Sequence, residues 1–245
     1  MKAFLLAAGN GRRLLPLTDT IPKCLVPIQG VPLLEIWLNN CRAAGITDVL
    51  VNVHAHAGAI REFAAVQRSG VQMRITSEPQ LLGSAGTLAD NRDFIAGENS
   101  FYVLYADVLT NIDLRKMFDF HRQQRLPATL GVCQVPDPTR CGIVAIDENA
   151  IIRDFVEKPT HPAGNWAFSG VMVAGPELFS FLPDHRPADI GLDLLPKMIG
   201  RMAAYPISEY LLDIGTISNY QHAQQSWPGL SRVSCPTDVH RTANA

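Results

Sequence analysis

The residues best suited to chemistry stand in one stretch near the N-terminus, Lys2 to Pro27. An apolar run from Ala3 to Ala8 has the length of a buried strand and breaks at Gly9-Asn10-Gly11, where glycines allow a sharp turn and close backbone approach to a ligand. The cations Arg12-Arg13 follow at once, and Lys23 comes soon after. Backbone N–H groups and cationic side chains both bind phosphate oxygens, so this stretch predicts a phosphate site.

Two common phosphate loops do not fit this stretch. A Rossmann fingerprint needs a third glycine where Leu14 stands, and a Walker loop needs Gly-Lys-Ser/Thr, which the stretch lacks. Gly-x-Gly alone is weak evidence, because a tight strand-to-loop turn with surface arginines has the same composition.

A carboxylate follows a second apolar run. Phe101 to Tyr105 is apolar throughout, which predicts a central strand, and Asp107 stands just past its end. Ligands bind at the carboxyl ends of strands in open α/β sheets, and Mg²⁺ prefers one or two carboxylates together with phosphate oxygens. Asp107 is therefore a candidate magnesium ligand, and a turn or N-cap aspartate is the alternative.

The opening stretch resembles that of the sugar-nucleotide pyrophosphorylases, the nucleotidylyltransferases that join a nucleoside triphosphate to a sugar 1-phosphate. Their opening motif reads roughly Leu-Ala-Gly/Ala-Gly-x-Gly-Thr-Arg-Leu-x-Pro-Leu-Thr, then Pro-Lys-Pro. This chain has LAAGNGRRLLPLT, then IPKCLVP. Arg13 and Lys23 match the family's arginine and lysine, whereas Arg12 replaces a threonine and Cys24 a proline.

Further motifs follow in the family's order, so the resemblance extends from Lys2 to about Ala223. The family has Pro-Leu-Gly-Thr-Ala-Gly on its base loop, Gly-Asp before the metal, Glu-Lys-Pro and Asn-Ala-Gly at the sugar, and a second metal-binding aspartate. Their counterparts here are the loop Glu78–Gly86, Ala106-Asp107, Glu157-Lys158-Pro159, Phe168-Ser169-Gly170 and Asp213-Ile214-Gly215-Thr216. Cys141-Gly142 stands where many members have Tyr-Gly.

The resemblance implies three sets of site residues. The nucleotide-binding set is Leu6, Ala8, Gly9, Gly11, Arg12, Arg13, Lys23, Glu78 and Gly83. The sugar-phosphate-binding set is Gly142, Glu157, Lys158, Ser169 and Gly170. Asp107 and Asp213 are the Mg²⁺ ligands, and Arg13, Lys23 and Asp107 are the catalytic residues.

The elements that carry these residues alternate between strand and helix. The first three strand patterns, KAFLLAA, DVLVNVHA and VQMRITSE, are separated by helical patterns, which is the order that builds a parallel sheet. Further on, LRKMFDFHRQQ and DIGLDLLPKMIG are predicted helical, and Gly142 to Val156 is predicted to form a hairpin. We expect an α/β fold, a Rossmann-like three-layer sandwich with a mostly parallel central sheet.

Length suits a single nucleotidylyltransferase domain over residues 1–227. Residues 1–110 would mainly bind the nucleotide and 111–227 mainly the sugar phosphate. Residues 228–245, which are polar and aperiodic, are predicted to be a loosely ordered tail.

The composition limits the kinds of partner that this chain is expected to bind. Of the 245 residues, 47% are hydrophobic and 18% charged, and the net charge of −2 argues against a general nucleic-acid binder. No apolar run approaches membrane length, and the five scattered cysteines suit reduced thiols in the cytoplasm. We expect small-molecule substrates only, no nucleic-acid or membrane partner, and a monomer or homodimer.

The resemblance favours GTP and a manno-type hexose or heptose 1-phosphate. The Asp-Ile-Gly-Thr motif and the Leu-Gly-Ser-Ala-Gly base loop resemble those of guanylyltransferases. The AAGxG opening also resembles muramic-acid-type uridylyltransferases, so a uridylyl- or thymidylyltransferase is the alternative. A nucleotide-sugar glycosyltransferase and an inactive nucleotide-sugar sensor are more distant alternatives. The former normally has Asp-x-Asp where this chain has Asp107-Val108-Leu109.

Overall fold

The computed structural model describes residues 1–9 and 11–230. Its strands are β1 (Lys2–Leu6), β2 (Pro27–Ile28), β3 (Val31–Pro32), β4 (Asp48–Val53), β5 (Gln72–Ser77), β6 (Phe101–Tyr105), β7 (Val108–Thr110), β8 (Ala128–Gln134), β9 (Gly142–Ile146), β10 (Ile152–Glu157), β11 (Trp166–Ala174), β12 (Met202–Pro206) and β13 (Leu211–Asp213). Its α-helices are α1 (Leu33–Ala43), α2 (Ala57–Val66), α3 (Ser84–Asp90), α4 (Leu114–Gln124) and α5 (Ile217–Ser226). Short 3-10 helices span Arg12–Leu14, Leu17–Asp19, Lys23–Leu25, Arg92–Ile95, Pro138–Arg140, Pro176–Phe181 and Leu195–Met198, and a π-helix spans Ile190–Leu194.

Nine of the described strands form one sheet. One path through it runs β10-β9-β11-β6-β1-β4-β5, and β8 pairs with both β11 and β12. Strands β6, β1, β4 and β5 are parallel neighbours, joined along the chain through α1, α2 and α3. The predicted α/β fold with a mostly parallel central sheet flanked by helices is confirmed, and the antiparallel strands β9, β10 and β11 extend it on one side.

Packed side chains cover both faces of this sheet. Alternate residues of β1 point to opposite faces and pack into two separate cores. Ala3 and Leu5 pack into the core that contains Trp37 of α1. Phe4 points the other way and makes edge-to-face contacts with Phe94 and Phe101. This alternation is what a strand buried on both faces requires, and it produces the three layers.

Strand β11 changes its neighbour at an irregularity next to Gly170. Before this point Ala167 pairs with β9, and after it residues 171–174 pair with β6. Gly170 has a φ of +79°, a conformation that favours glycine, and a Cβ there would lie 3.0 Å from Cβ of Tyr105. The glycine therefore lets the sheet divide at the end of β6.

A second, two-stranded sheet sets the position of Asp213. Strand β13 pairs antiparallel with β7, and Asp213 is opposite Val108 in this register. The backbone N–H of Ile214 also donates to the carbonyl of Asp107. Two aspartates that are distant in sequence are thereby held side by side.

The predicted hairpin is confirmed, with its strands at Gly142–Ile146 and Ile152–Glu157, and the predicted helix LRKMFDFHRQQ is α4. The segment DIGLDLLPKMIG is helical but not α-helical, because it forms the π-helix and then the 3-10 helix that contains Pro196. Proline lacks the N–H that an α-helix needs there. Within residues 1–9 and 11–230, no helix combines the length and apolarity needed to cross a membrane.

Candidate active site

A cavity of about 260 Å³ opens where β1, β4 and β6 end. Its lining residues are Leu6, Ala7, Ala8, Gly9, Lys23, Cys24, Asn52, Glu78, Leu81, Gly83, Ser84, Tyr105, Ala106 and Asp107. Of the predicted site residues, it brings together Leu6, Ala8, Gly9, Lys23, Glu78, Gly83 and Asp107. This is the edge of the sheet at which open α/β folds bind ligands.

The glycine turn after β1 leads along the rim of this cavity. Gly11 has a φ of +61°, and its carbonyl accepts from Leu14 N–H and from Thr18 Oγ1. A Cβ at Gly11 would lie 3.0 Å from Cγ2 of Thr18, so glycine is needed for both conformation and space. Arg12 and Arg13 follow with exposed side chains, and Asn10 lies outside the described residues.

Lys23 connects the two predicted metal ligands. Its Nζ lies 2.6 Å from Oδ2 of Asp107 and 3.7 Å from Oδ1 of Asp213. The lysine side chain is only 10% exposed, whereas both carboxylates remain open to solvent. The nearly buried Lys23 ammonium lies between two accessible carboxylates. The positive charge suits an anionic ligand, and the two negative charges suit a cation.

The electrostatics of Asp213 show that the two carboxylates repel each other. Partial desolvation by the surrounding protein, and then the negative charge of Asp107, raise the pKa of Asp213, while Lys23 and Arg13 act in the opposite direction. Gly215 permits this crowding, because a Cβ there would lie 2.7 Å from Oδ1 of Asp213 and 3.0 Å from Nη2 of Arg13. Arg13 is thus brought to the same cluster as Asp107, Asp213 and Lys23.

Glu78 lies beneath the cavity in a closed hydrogen-bond network and is 3% exposed. Its Oε1 accepts from Nδ2 of Asn52 (2.8 Å) and from Oγ1 of Thr87 (2.5 Å), and its Oε2 accepts from Leu82 N–H (3.1 Å). Oδ1 of Asn52 in turn accepts from the Ala7 N–H at 2.6 Å. The network therefore ties the end of β1 to the loop before α3.

The loop at Gly83 packs backbone to backbone against Ala188. Gly83 has a φ of +75°, and a Cβ there would lie 2.2 Å from the Ala188 carbonyl oxygen. The N–H groups of Ala85 and Gly86 donate to that same oxygen, so they are already paired. The N–H groups of Ala85 and Gly86 are therefore not available to a ligand in the cavity.

The predicted sugar-phosphate residues lie beside the cavity rather than in its lining. The carboxylate of Glu157 sits between two glycines, because a Cβ on Gly142 or on Gly191 would lie 2.6 or 2.5 Å from its Oε2. Lys158 has its Nζ 3.2 Å from Oε1 of Glu157 and is 66% exposed. Only the lysine of this ion pair is exposed, because the Glu157 side chain is 18% exposed.

Ser169 is turned into the sheet. Its Oγ accepts from Val171 N–H at 3.3 Å and would lie 2.7 Å from a Cβ on Gly131. The hydroxyl is buried and does not line the cavity. A direct contact of Ser169 with a sugar remains a prediction, and Gly170 serves the packing of Tyr105 described above.

Comparison with known proteins identifies the family of this chain. The family model for nucleotidyl transferases matches residues 2–228. The chain belongs to this family. The chain is 33% identical over 241 residues to a UTP–glucose-1-phosphate uridylyltransferase of Synechocystis, covering 91% of this chain and 62% of the relative. It is 30% identical over 229 residues to a mannose-1-phosphate guanyltransferase of Schizosaccharomyces pombe, covering 90% of this chain and 62% of the relative.

Solved structures show the same fold. A Bacillus anthracis protein assigned as a glucose-1-phosphate thymidylyltransferase is 26% identical, with a TM-score of 0.82 over 92% of this chain and 94% of its own. HddC of Yersinia pseudotuberculosis is 23% identical, with a TM-score of 0.78 over 92% of this chain and 99% of its own. The chain spans about three fifths of the length of the curated relatives described above.

The carboxylates of the candidate site suit a divalent metal that phosphate oxygens would also bind. No cluster of three or more His, Cys, Asp or Glu side chains suited to a metal occurs among residues 1–9 and 11–230. Asp107 and Asp213 offer two accessible, mutually repelling carboxylates, which is the protein share of a site completed by phosphate oxygens and water.

Sequence reasoning missed several residues of the candidate site, notably Asn52, Tyr105 and Asp189. The sequence does contain a clue to Asn52, because it is the one amide side chain inside the β-branched run of β4. Burial, and then the charge of Asp189, raise the pKa of the Tyr105 hydroxyl, which therefore stays protonated. Cys24 is a packing residue here, because burial raises the pKa of its thiol to about 12.

Proposed function

We propose that this chain transfers the nucleotidyl group of GTP to a manno-type hexose or heptose 1-phosphate, with release of pyrophosphate, and that Mg²⁺ assists. The observation that carries the proposal is the cluster of Lys23, Asp107 and Asp213 at the mouth of a cavity built from the strand ends. Phosphoryl-group chemistry of this kind depends chiefly on positioning and charge neutralisation, which this cluster supplies.

The chain's own residues suit each part of that reaction. A sugar-phosphate oxygen attacks the α-phosphorus in line, the P–O bond to pyrophosphate breaks, and pyrophosphate leaves with the electron pair. Lys23 is placed to stabilise negative charge that develops at the α-phosphate, and Arg13 to hold the triphosphate. Asp107 and Asp213 would hold Mg²⁺, which lowers the repulsion between the anionic reactants when bound. Lys158 would exchange Glu157 for the sugar phosphate.

The nucleotide preference rests on the base loop and on the relatives. Gly83 and Ser84 offer backbone donors for the guanine O6, and Gln80 or the remaining lone pairs of Glu78 offer acceptors for N1–H and N2–H. Mannose-1-phosphate guanylyltransferases of Schizosaccharomyces pombe and Arabidopsis thaliana are among the relatives, at 30% identity. A site built for guanine leaves polar groups unpaired when a pyrimidine binds, which penalises the wrong base.

The competing candidate is uridylyl transfer, which the Synechocystis relative favours at 33% identity. The test is a competition among GTP, UTP, dTTP and ATP with one accepted sugar 1-phosphate. We expect the highest kcat/KM for GTP. A higher kcat/KM for UTP or dTTP would overturn the guanylyl assignment and leave nucleotidyl transfer standing.

Two more distant alternatives are separated by the same assay. A glycosyltransferase or an inactive nucleotide-sugar sensor would release no pyrophosphate from a triphosphate and a sugar 1-phosphate. A single domain over residues 1–227, a monomeric or homodimeric state and a cytoplasmic location remain predictions. The predicted tail, residues 228–245, lies outside the described residues from position 231 onward.

A further inference from the structure

The segment Ala188–Gly191 touches both halves of the site, although no predicted motif includes it. It follows β11 and the 3-10 helix Pro176–Phe181, and it leads into the π-helix Ile190–Leu194. The segment meets the base loop on one side and Glu157 on the other. This segment therefore contacts the nucleotide side and the sugar side of the site at the same time.

On the nucleotide side, Asp189 binds a residue of the cavity wall. Oδ2 of Asp189 accepts from Oγ of Ser84 at 2.9 Å, and Oγ of Ser84 accepts from Ile190 N–H at 2.7 Å. The neighbouring Ala188 pairs with Leu82 through its N–H and with α3 through its carbonyl. Ser84 lines the cavity, so any shift of Asp189 would be felt directly at the base loop.

On the sugar side, Asp189 fixes the backbone on which Glu157 rests. Oδ1 of Asp189 accepts from Gly191 N–H at 2.8 Å and from Leu192 N–H at 3.2 Å. Gly191 has no Cβ, and the space that a Cβ would take is occupied by Oε2 of Glu157 at 2.5 Å. The same carboxylate group thus determines where Ser84 and Gly191 lie.

We propose that Asp189 is a positioning residue that links the nucleotide loop, through Ser84, to the sugar-side carboxylate Glu157, through Gly191. This proposal rests on the proposed function, because it assigns a role within that same site. One carboxylate with bonds to both sides keeps the two substrate subsites at a fixed separation. Two reactants that must align in line gain rate from such a constraint.

A purely structural role makes a different prediction from this positioning role. Loss of a helix cap lowers stability wherever the cap is, but it changes substrate affinity only if the cap also sets the site. Asp147 offers a matched control, since it accepts from the N–H groups of Asn149 and Ile151 and from Nε of Arg153 in the turn between β9 and β10.

The experiment compares wild type, Asp189→Ala, Asp189→Asn and Asp147→Ala for thermal midpoint, kcat and the KM of each substrate. We expect Asp189→Ala to raise both KM values by about tenfold or more, since it removes three hydrogen bonds to a carboxylate. Asp189→Asn should restore most of the loss, because its amide oxygen can still accept from Gly191 N–H. Asp147→Ala should lower the thermal midpoint and leave both KM values unchanged.

A second variant keeps the test decisive if Asp189→Ala does not fold. Gly191→Ala retains the bond between Asp189 and Ser84 but displaces Glu157, so the KM for the sugar 1-phosphate should rise while that for the nucleotide holds. An unchanged sugar KM in Gly191→Ala, or an unchanged KM for either substrate in folded Asp189→Ala, would overturn the proposal. A wild-type protein that releases no pyrophosphate would overturn the proposed function as well, whereas normal wild-type activity with unaffected variants overturns the link alone.

Discussion

The ammonium of Lys23 lies 2.6 Å from Oδ2 of Asp107 and 3.7 Å from Oδ1 of Asp213. One cation therefore joins carboxylates that come from the end of β6 and the end of β13. Because Lys23 is nearly buried and the aspartates are accessible, the lysine can hold the pair together while the carboxylates face a ligand.

Asp107→Asn should abolish metal-dependent turnover and leave the fold intact. The change removes a charge and a proposed metal ligand but adds no bulk, and Asp107 is partly exposed. Pyrophosphate release over a magnesium titration, with circular dichroism as the check on folding, measures both. Asp119→Asn, on the exposed face of α4, is the control. Near-normal turnover of Asp107→Asn at ordinary magnesium concentrations would remove Asp107 from the site.

Lys23→Ala and Arg13→Ala should each lower kcat strongly. Loss of one electrostatic contact to a transition-state charge typically costs about a hundredfold to a thousandfold. Lys116→Ala and Arg122→Ala, both on exposed positions of α4, are the matched controls and should keep wild-type rates. If either site variant changed only the thermal midpoint, that residue would be a structural cation and our account of the opening stretch would be wrong.

Glu78→Gln should weaken nucleotide binding and lower stability together. The amide can still accept from Asn52 and Thr87 through Oε1, but its NH₂ group would face the Leu82 N–H that Oε2 now binds. A buried unpaired donor costs about 1–3 kcal/mol, and about 2–4 °C of thermal midpoint per kcal/mol is typical at this chain length. Calorimetry and the nucleotide KM test this; a variant with wild-type values for both would show that the network is dispensable.

His121 should make stability fall as the pH drops below about 6.5. It is buried with Nδ1 2.9 Å from Oγ1 of Thr129, and burial lowers the pKa of the folded imidazole below its ordinary 6.5, although the charge of Glu177 opposes this. The unfolded chain then binds more protons in this window, so the free energy of unfolding decreases with falling pH, by at most about 1.4 kcal/mol per pH unit. His121→Gln should flatten the dependence of the thermal midpoint on pH, and exposed His161→Gln should not. Equal slopes in His121→Gln and wild type would contradict the assignment.

The sequence was most informative where function and local pattern coincide. The apolar strand before Asp107 and the glycine turn after β1 both predicted where the site lies, because an apolar run and a break in it are local features. The proximity of Asp213 to Asp107 came from family resemblance. In physical terms it depends on the pairing of β7 with β13, which lie a hundred residues apart, and no local pattern contains that pairing.

The side-chain contacts of Asp189 and Ser169 could not be predicted from sequence patterns. The sequence predicts a helix for the segment that contains Asp189, and the segment is helical. The hydrogen bond between Ser84 and the Asp189 carboxylate depends on packing between distant loops. A contact of Ser169 with the sugar stays a prediction from its place in a motif, and its hydroxyl lies within the strand irregularity between Phe168 and Met172, where it accepts from Val171 N–H. Side-chain direction after an irregular strand is a tertiary property that the motif cannot contain.

The most direct test of our central claim is pyrophosphate release by the wild-type chain across four nucleoside triphosphates and a panel of sugar 1-phosphates. Each reaction is run with magnesium, with chelator, and with Asp107→Asn in place of wild type. We predict release that requires a triphosphate, a sugar 1-phosphate and the metal together, with the highest kcat/KM for GTP and a manno-type sugar, and none from Asp107→Asn. Release that is independent of the sugar 1-phosphate, or no release with any pair, would contradict the assignment of this chain as a sugar-1-phosphate nucleotidylyltransferase.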